Sequence, residues 1–403
     1  MDELIVYLSG QRAGRLILKD NGNLQFRYET DYRGPAISQS LPVQAEAHPH
    51  SLCRAVFGGL QAEGDARDAL ARNLGVSAGN DYALLKALGG DCAGALVLLE
   101  PGVELPIAPK LKPLADQELD ALLRELPQRP LAADSRDGIR LSLAGAQPKV
   151  PVVMVDTGEF ALPLNAAAAT THIIKPEPSR FPGLVDNEAF CMELARAVAL
   201  PAASVSRHLS ATGLPYLLVE RYDRDVTADP IRRLHQEDVC QATGQPSDRK
   251  YQAEGGPGVA GTVSLLRTCS AVPAQDLATF WRALVFNWLI GNCDAHAKNF
   301  SLLYDAGAPT LAPLYDLVST VVYPELTDRL AMSIDGARTI TEVNAEAWTI
   351  LAAETGYSTR FARSEVNGLV ARIVDESGRL AAEPRHDNRA GRQITDSILE
   401  RAA

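Results

Sequence analysis

The sequence predicts an α+β chain of two lobes: a β-rich N-terminal lobe with an added N-terminal subdomain, and an all-α C-terminal lobe. Three observations carry that prediction. The first thirty residues read as a β meander, strand-like runs dominate again between Ile139 and Arg221, and from Leu234 onward almost every stretch carries helical periodicity. At 403 residues, 46% of them hydrophobic and 22% charged, the chain is long enough to bury a substantial core in two or three packing units.

In chain order, "LIVYLSG", "GRLILK" and "LQFRYE" are the meander, with "KDNGN" as a hairpin turn because asparagine and glycine accept positive φ at little cost. "DARDALARNLG" and "DYALLKALG" read as helices, each stopped by glycine, and "GALVLLE" returns to strand. Six prolines between Glu100 and Gly138 bracket one short amphipathic helix, "DQELDALLREL", and the segment reads as a connector. Strands follow in "PVVMVD", "EFALPL", "THIIKP" and "PYLLVERY", interrupted by the helix "NEAFCMELARAVAL", in which Phe190, Leu194 and Val198 recur at helical spacing. "NAAAATT" (165–171) reads as a short loop-like insertion, and there is no internal repeat. The resulting division is 1–100, a small sheet plus helices; 101–138, a Pro-rich connector; 139–222, the remainder of the N-lobe; and 223–403, the helical C-lobe.

Composition excludes some functions. A formal charge of −11 is not the electrostatic footprint of a protein that grips nucleic acid unaided. The six cysteines are scattered, without a C-x-x-C pair, so zinc-ribbon and dithiol chemistry are not indicated and free thiols in a reducing compartment are expected. The N-terminus has no basic n-region, and no apolar run approaches the about 18 residues of a membrane span. A cytoplasmic location is expected.

The chemistry concentrates after "DLATFWRALVFNWLIG". There Leu277, Phe280, Trp281, Leu284, Val285 and Trp288 make one apolar helix face, with Asp276 placed to cap the start and Gly291 to end it. "GNCDAHAKNF" then sets Asp294 and Asn299 five residues apart, the D-x-x-x-x-N spacing by which a phosphotransferase loop offers a carboxylate to the acceptor hydroxyl and an amide oxygen to magnesium. Asp316 follows seventeen residues after Asn299, behind the strand-like "FSLLYD" and "PTLAPLYD", where a hairpin would deliver a second magnesium-binding carboxylate. His296 and Lys298 either steady this loop or touch phosphate. For the nucleotide, "THIIKP" offers Lys175 as a cation, with Glu188 on the next helix to orient it. "SLAGAQPKV" offers a small-residue turn that fails the P-loop pattern, and "YLLVERYD" offers Glu220, Arg221 and Tyr222 where the composition turns from β to α.

Taken together, "RLSLAGAQPK", "HIIKPE", "NEAFCMELAR", "LLVERYDR", "LHQEDVCQATG", "NWLIGNCDAHAKNFSLL" and "LAPLYDLVS" resemble the HipA family, the serine/threonine kinases of HipBA toxin–antitoxin modules. The resemblance spans nearly the whole chain, since "LIVYLSGQRAGRL" resembles that family's N-terminal subdomain, and it implies a protein-kinase-like fold. It further implies that Asp294 is catalytic, that Asn299 and Asp316 hold Mg2+, and that Ala144, Gly145, Ala146, Gln147, Pro148 and Lys149 cover the ATP phosphates contacted by Lys175. Glu220, Arg221 and Tyr222 would line the adenine pocket, and His296, Lys298 and Tyr315 would complete the nucleotide site. Ser142 matches the serine such kinases phosphorylate on themselves, ejecting the phosphate-binding loop.

The resemblance also implies partners: a HipB-like helix-turn-helix antitoxin, operator DNA reached only through that complex, and a protein substrate such as an aminoacyl-tRNA synthetase, glutamyl-tRNA synthetase in the best-known case. Gln236, Glu237 and Asp238 either cap a helix or border the acceptor groove. Cys293 and the 165–171 insertion depart from the family pattern without removing a required group. Two other readings share some of these residues: a small-molecule kinase of the aminoglycoside or homoserine type, and an inactive kinase-like co-repressor.

Overall fold

The computed structural model describes residues 2–133, 140–155, 158–305 and 307–403; the last residues of the Pro-rich segment and the start of the 139–222 segment lie outside them. Two compact units emerge. One comprises Met1–Pro178, His208–Asp248 and Leu303–Asp305, the other Ser179–Arg207, Arg249–Leu302 and Ala306–Ala403.

The first unit opens with the expected meander, Asp2–Leu8, Gln11–Leu18 and Leu24–Tyr28, joined on its far side by Leu96–Leu99 in an all-antiparallel sheet. Gly22, at φ 81, turns the second hairpin, and its N–H donates to the Lys19 carbonyl at 2.9 Å. One face of the sheet buries Leu4, Val6, Leu16 and Phe26 against Val56 and Phe57 of the helix His50–Gly59. Sequence periodicity misses that helix, because four of its residues in a row of five are buried rather than one in every three or four. Helices Gly64–Leu74 and Asp81–Leu88 form as expected, but their glycine stops differ. Gly75 is left-handed (φ 67), whereas Gly89 is needed for closeness, since a Cβ there would lie 2.8 Å from that of Leu98.

Five neighbouring antiparallel strands follow, in spatial order Leu111–Leu114, Phe160–Pro163, Val150–Met154, His172–Pro176 and Pro215–Glu220. The Pro-rich segment therefore does more than connect. It supplies the first of these strands, and its helix Asp116–Glu125 buries Leu119 and Leu123 in the same core as Val150, Val152 and Ile174. The 165–171 stretch is equally integrated: Thr170 and Thr171 are buried, and the Thr171 hydroxyl accepts from the Met154 N–H at 2.8 Å.

The second unit is mostly helical and is centred on Pro273–Ile290, where Trp281 sits edge-on to Trp348 and to Phe361. The helix Leu184–Ala197, which the sequence places with the strands before it, groups here. Its buried Phe190 meets the ring of His386 edge-on at 5.3 Å, a partner nearly two hundred residues away. The all-α expectation needs correction, because Arg329–Ile334 and Ala337–Thr339 form an antiparallel hairpin. Its two-residue turn, Asp335-Gly336, has both residues at positive φ, a local Asp-Gly signal embedded among helices. Among the described residues, no helix is long and apolar enough to cross a membrane.

Candidate active site

The loop bearing Asp294 is aimed by the end of the helix Pro273–Ile290. Pro273 occupies the first turn, and Gly291 ends the helix at φ 78, its N–H donating to the carbonyls of Asn287 and Trp288. No larger residue fits there: a Cβ on Gly291 would lie 2.3 Å from the Val321 side chain and 2.8 Å from the Arg401 guanidinium. Arg401 in turn donates to the Leu289 carbonyl at 2.9 Å, a cation placed at the negative end of the helix. Asp276 is not the cap the sequence proposes. Its carboxylate accepts from the Ser270 hydroxyl (2.6 Å) and the Leu311 N–H (2.7 Å), so it ties the helix start to the hairpin ahead of Asp316.

Beyond Gly291 a relay of amides sets the path. The Asn287 side chain bonds that of buried Asn292, whose Oδ1 accepts the N–H of Asp294 at 3.1 Å. Cys293 is clamped between the Thr320 hydroxyl and the Ala331 N–H, and burial pushes its thiol up, away from reactivity. Asp294 itself is exposed. Its carbonyl accepts from the His296 N–H (2.8 Å) and from Asn299 Nδ2 (3.2 Å), folding the expected D-x-x-x-x-N segment into one tight turn. Because Nδ2 is committed inward, Asn299 has its amide oxygen left to offer. The Tyr315 hydroxyl bonds the Lys298 carbonyl and the Ser301 hydroxyl, linking the turn to the segment that holds Asp316. Asp316 has φ 53, a left-handed position rare outside glycine that costs on the order of 1 kcal/mol and persists because its flanks are fixed. Upstream, the Leu314 N–H bonds the Pro201 carbonyl; downstream, the Asn187 side chain both donates to and accepts from the Ser319 backbone at 2.9 Å. An amide oxygen and a carboxylate form the oxygen-only donor set that suits magnesium.

Within the other unit, the loop from Ser142 to Lys149 is docked by backbone. The Ser142 N–H donates to the Asp91 carbonyl (3.0 Å), its buried hydroxyl donates to the Leu60 carbonyl (2.9 Å), and the Gly145 carbonyl accepts from the Glu63 N–H (3.0 Å). Gly145 has φ 111, and Lys149 Nζ donates to the Ala144 carbonyl in the space a Cβ on Gly145 would take. Ala146 is the exposed tip, Gln147 and Pro148 are half-buried, and Lys175 is buried on its strand. Glu188 is buried in the second unit.

The Arg221 side chain serves the interior. Glu220 is exposed at the strand end and the half-buried Tyr222 bonds Gln236, but the Arg221 side chain points into the protein. It joins Asp91, Asp223, Arg224, Arg233 and Thr170 in a buried cluster: Arg221 to Asp223 at 2.7 Å and Thr170 at 2.8 Å, Arg224 to Asp91 at 3.1 Å and Asp223 at 2.9 Å, Arg233 to Asp91 at 3.0 Å. Burial pushes the Asp91 carboxyl up, but Arg224, Arg233 and Arg221 outweigh it and hold the group well below the usual carboxylate range. Only main-chain groups of Arg221 are left for a ligand, and its N–H is spent on the Thr171 carbonyl. Partners for the neighbouring Glu237 and Asp238 are also defined. Asp238 caps the helix Val239–Ala242 in a reciprocal box with Gln241, while Glu237 accepts from the Ser38 hydroxyl, the Gln39 N–H and the Tyr304 hydroxyl.

Sequence reasoning missed Tyr251, whose hydroxyl donates to Asp294 Oδ1 at 2.7 Å, and Asn187, the clamp behind Asp316. The one local signal for Tyr251 was the "GGPG" turn just after it.

Comparison with known proteins gives the family. The profile of the HipA-like C-terminal domain matches residues 141–377, and that of the HipA N-terminal domain matches residues 4–99. Y4mE of Sinorhizobium fredii, named as a candidate kinase, is 44% identical, the match covering 99% of this chain and 97% of that protein. The serine/threonine-protein kinase toxin HipA of Shewanella oneidensis is 32% identical over 76% of this chain and 72% of that one. A solved chain from the Shewanella oneidensis complex of HipA, HipB and operator DNA superposes with a TM-score of 0.83 at 26% identity, covering 99% of this chain and 96% of that chain. The fold is thus of the HipA kinase-like class. The chain belongs to the HipA family of serine/threonine kinase toxins.

Proposed function

We propose that the protein is an active ATP-dependent serine/threonine kinase, the toxin of a toxin–antitoxin pair, which phosphorylates a housekeeping protein and so arrests growth. The observation that carries this reading is the Asp294–Asn299 turn, with Asp294 exposed and Asn299 half-buried, followed seventeen residues on by a half-buried Asp316 held at positive φ. Asp294 accepts the proton of the acceptor hydroxyl, and Asn299 and Asp316 would hold magnesium, which neutralises charge on the transferring phosphoryl group. Lys175 and the Ala144–Lys149 loop would hold the phosphates, and the backbone around Glu220 and Tyr222 the adenine; His296, Lys298 and Tyr315 keep the catalytic turn in shape. An aminoacyl-tRNA synthetase is the substrate class we favour, with a HipB-like antitoxin as partner and operator DNA reached through it, by analogy with the Shewanella oneidensis complex.

The burial of Ser142 supports self-inactivation. Its hydroxyl is held on the Leu60 carbonyl, so phosphorylation requires the loop to leave its dock, and a group of about −1.5 to −2 charge cannot return to that buried spot. Incubation with magnesium and labelled ATP should label Ser142 in the wild type and not in Asp294→Asn; equal labelling of the two would sink the mechanism.

A further inference from the structure

Among the described residues, one side chain hydrogen-bonds the Asp294 carboxylate: the Tyr251 hydroxyl, donating to Oδ1 at 2.7 Å. No hydrogen bond among them reaches Oδ2, and Asp294 is exposed. The carboxylate therefore has one oxygen held and one presented.

The phenol is held from several directions. Its ring meets His296 edge-on at 5.4 Å between centroids, and Lys250 Nζ lies 5.4 Å from the ring centre. The Tyr251 carbonyl accepts from the N–H groups of Glu254 and Gly256, both at 3.0 Å, curling the chain into a turn. That turn demands glycine, since a Cβ on Gly256 would lie 2.0 Å from the Arg249 carbonyl oxygen. On the far side of Tyr251, Gln252 Oε1 accepts from the Ser333 N–H at 2.8 Å. The ring thus rests on His296, and the backbone that carries it is set by its own turn and by the Gln252–Ser333 bond before any acceptor arrives.

We infer that Tyr251 is a positioning residue for the phosphoryl acceptor: it holds Oδ1 of Asp294 so that Oδ2 faces the incoming hydroxyl. The inference rests on the kinase reading above. In the transfer the acceptor oxygen bonds the γ-phosphorus, the bond from that phosphorus to the β–γ bridging oxygen breaks, ADP leaves with that electron pair, and the acceptor proton passes to Oδ2. Without the phenol the carboxylate rotates freely, and the fraction of time Oδ2 is aimed at the acceptor falls.

The test compares the full-length wild type with Tyr251→Phe and Asp294→Asn. Tyr251→Phe keeps the ring against His296 and removes only the donor. Total label incorporated from γ-labelled ATP, into the chain and into added casein, is followed against ATP concentration with magnesium present, alongside thermal melting. The expected result is a plateau rate reduced about tenfold or more, the loss of one hydrogen bond to a charged group, with the half-saturating ATP concentration within about twofold of wild type and an unchanged melt. A plateau within threefold of wild type overturns the assignment, as does a loss accompanied by equal loss of ATP affinity or of stability, which marks a merely structural role. Wild-type labelling no greater than that of Asp294→Asn overturns the kinase reading itself, and the Tyr251 assignment with it.

Discussion

Replacing Asp91 with alanine removes the charge on which three guanidiniums converge in a place water does not reach. In the native cluster Arg221, Arg224 and Arg233 face Asp91 and Asp223, and the Asp91 carboxylate accepts from all three as well as from the Thr170 hydroxyl at 2.6 Å. The substitution leaves three cations against one anion, with Arg221 and Arg224 fully buried. Stranding a buried charge costs about 3–5 kcal/mol, and with three guanidiniums and the Thr170 hydroxyl all losing this acceptor the upper end applies, against a total stability of about 5–15 kcal/mol for ordinary proteins. Urea unfolding at pH 7 is the assay. Asp91→Asn, which keeps an accepting oxygen, should lose roughly half as much. The pH sign is fixed by the depressed carboxyl: the stabilisation is fully present above the unfolded value near 3.8 and is lost as pH falls below it, so wild type and Asp91→Ala should converge by about 1 kcal/mol per pH unit there. A loss below about 1 kcal/mol at pH 7 would refute the reasoning. Because the Asp91 backbone also docks Ser142, the same variant should expose the Ser142–Lys149 loop to protease.

Two further outcomes are expected. Burial raises the Glu237 carboxyl to about 7, so the folded protein retains a proton there that the unfolded chain releases near 4.5, and stability falls as pH rises between those values; Glu237→Gln should flatten that slope, and parallel melting curves for the two proteins from pH 5 to 8 would contradict it. Gly291→Ala forces alanine into the left-handed region and drives its Cβ into Val321 and Arg401, at a cost of about 2–4 kcal/mol, with labelling activity falling as the catalytic turn shifts; a melting temperature within a degree of wild type would count against this account.

What the sequence by itself determined is whatever depends on neighbours along the chain. Period-two and period-3.6 patterns located the meander, four of the five strands that follow it and the helix before the Asp294–Asn299 turn, because those patterns record which face of an element is buried. The spacing of Asp294, Asn299 and Asp316 was legible because a single turn and a single hairpin build it. Only the tertiary structure decided the fates of polar groups whose partners lie far away. Asp276 looked like a cap and became a tie to Leu311; the Arg221 side chain, at a strand end, became part of an ion cluster with Asp91, 130 residues upstream. Tyr251 and Asn187 carried no local mark of function, since a phenol 43 residues from its carboxylate, or an amide 132 residues from its serine, is chosen by the fold. A polar side chain at a helix start or strand end has several satisfactory partners within local reach, and burial, which sequence does not specify residue by residue, selects among them.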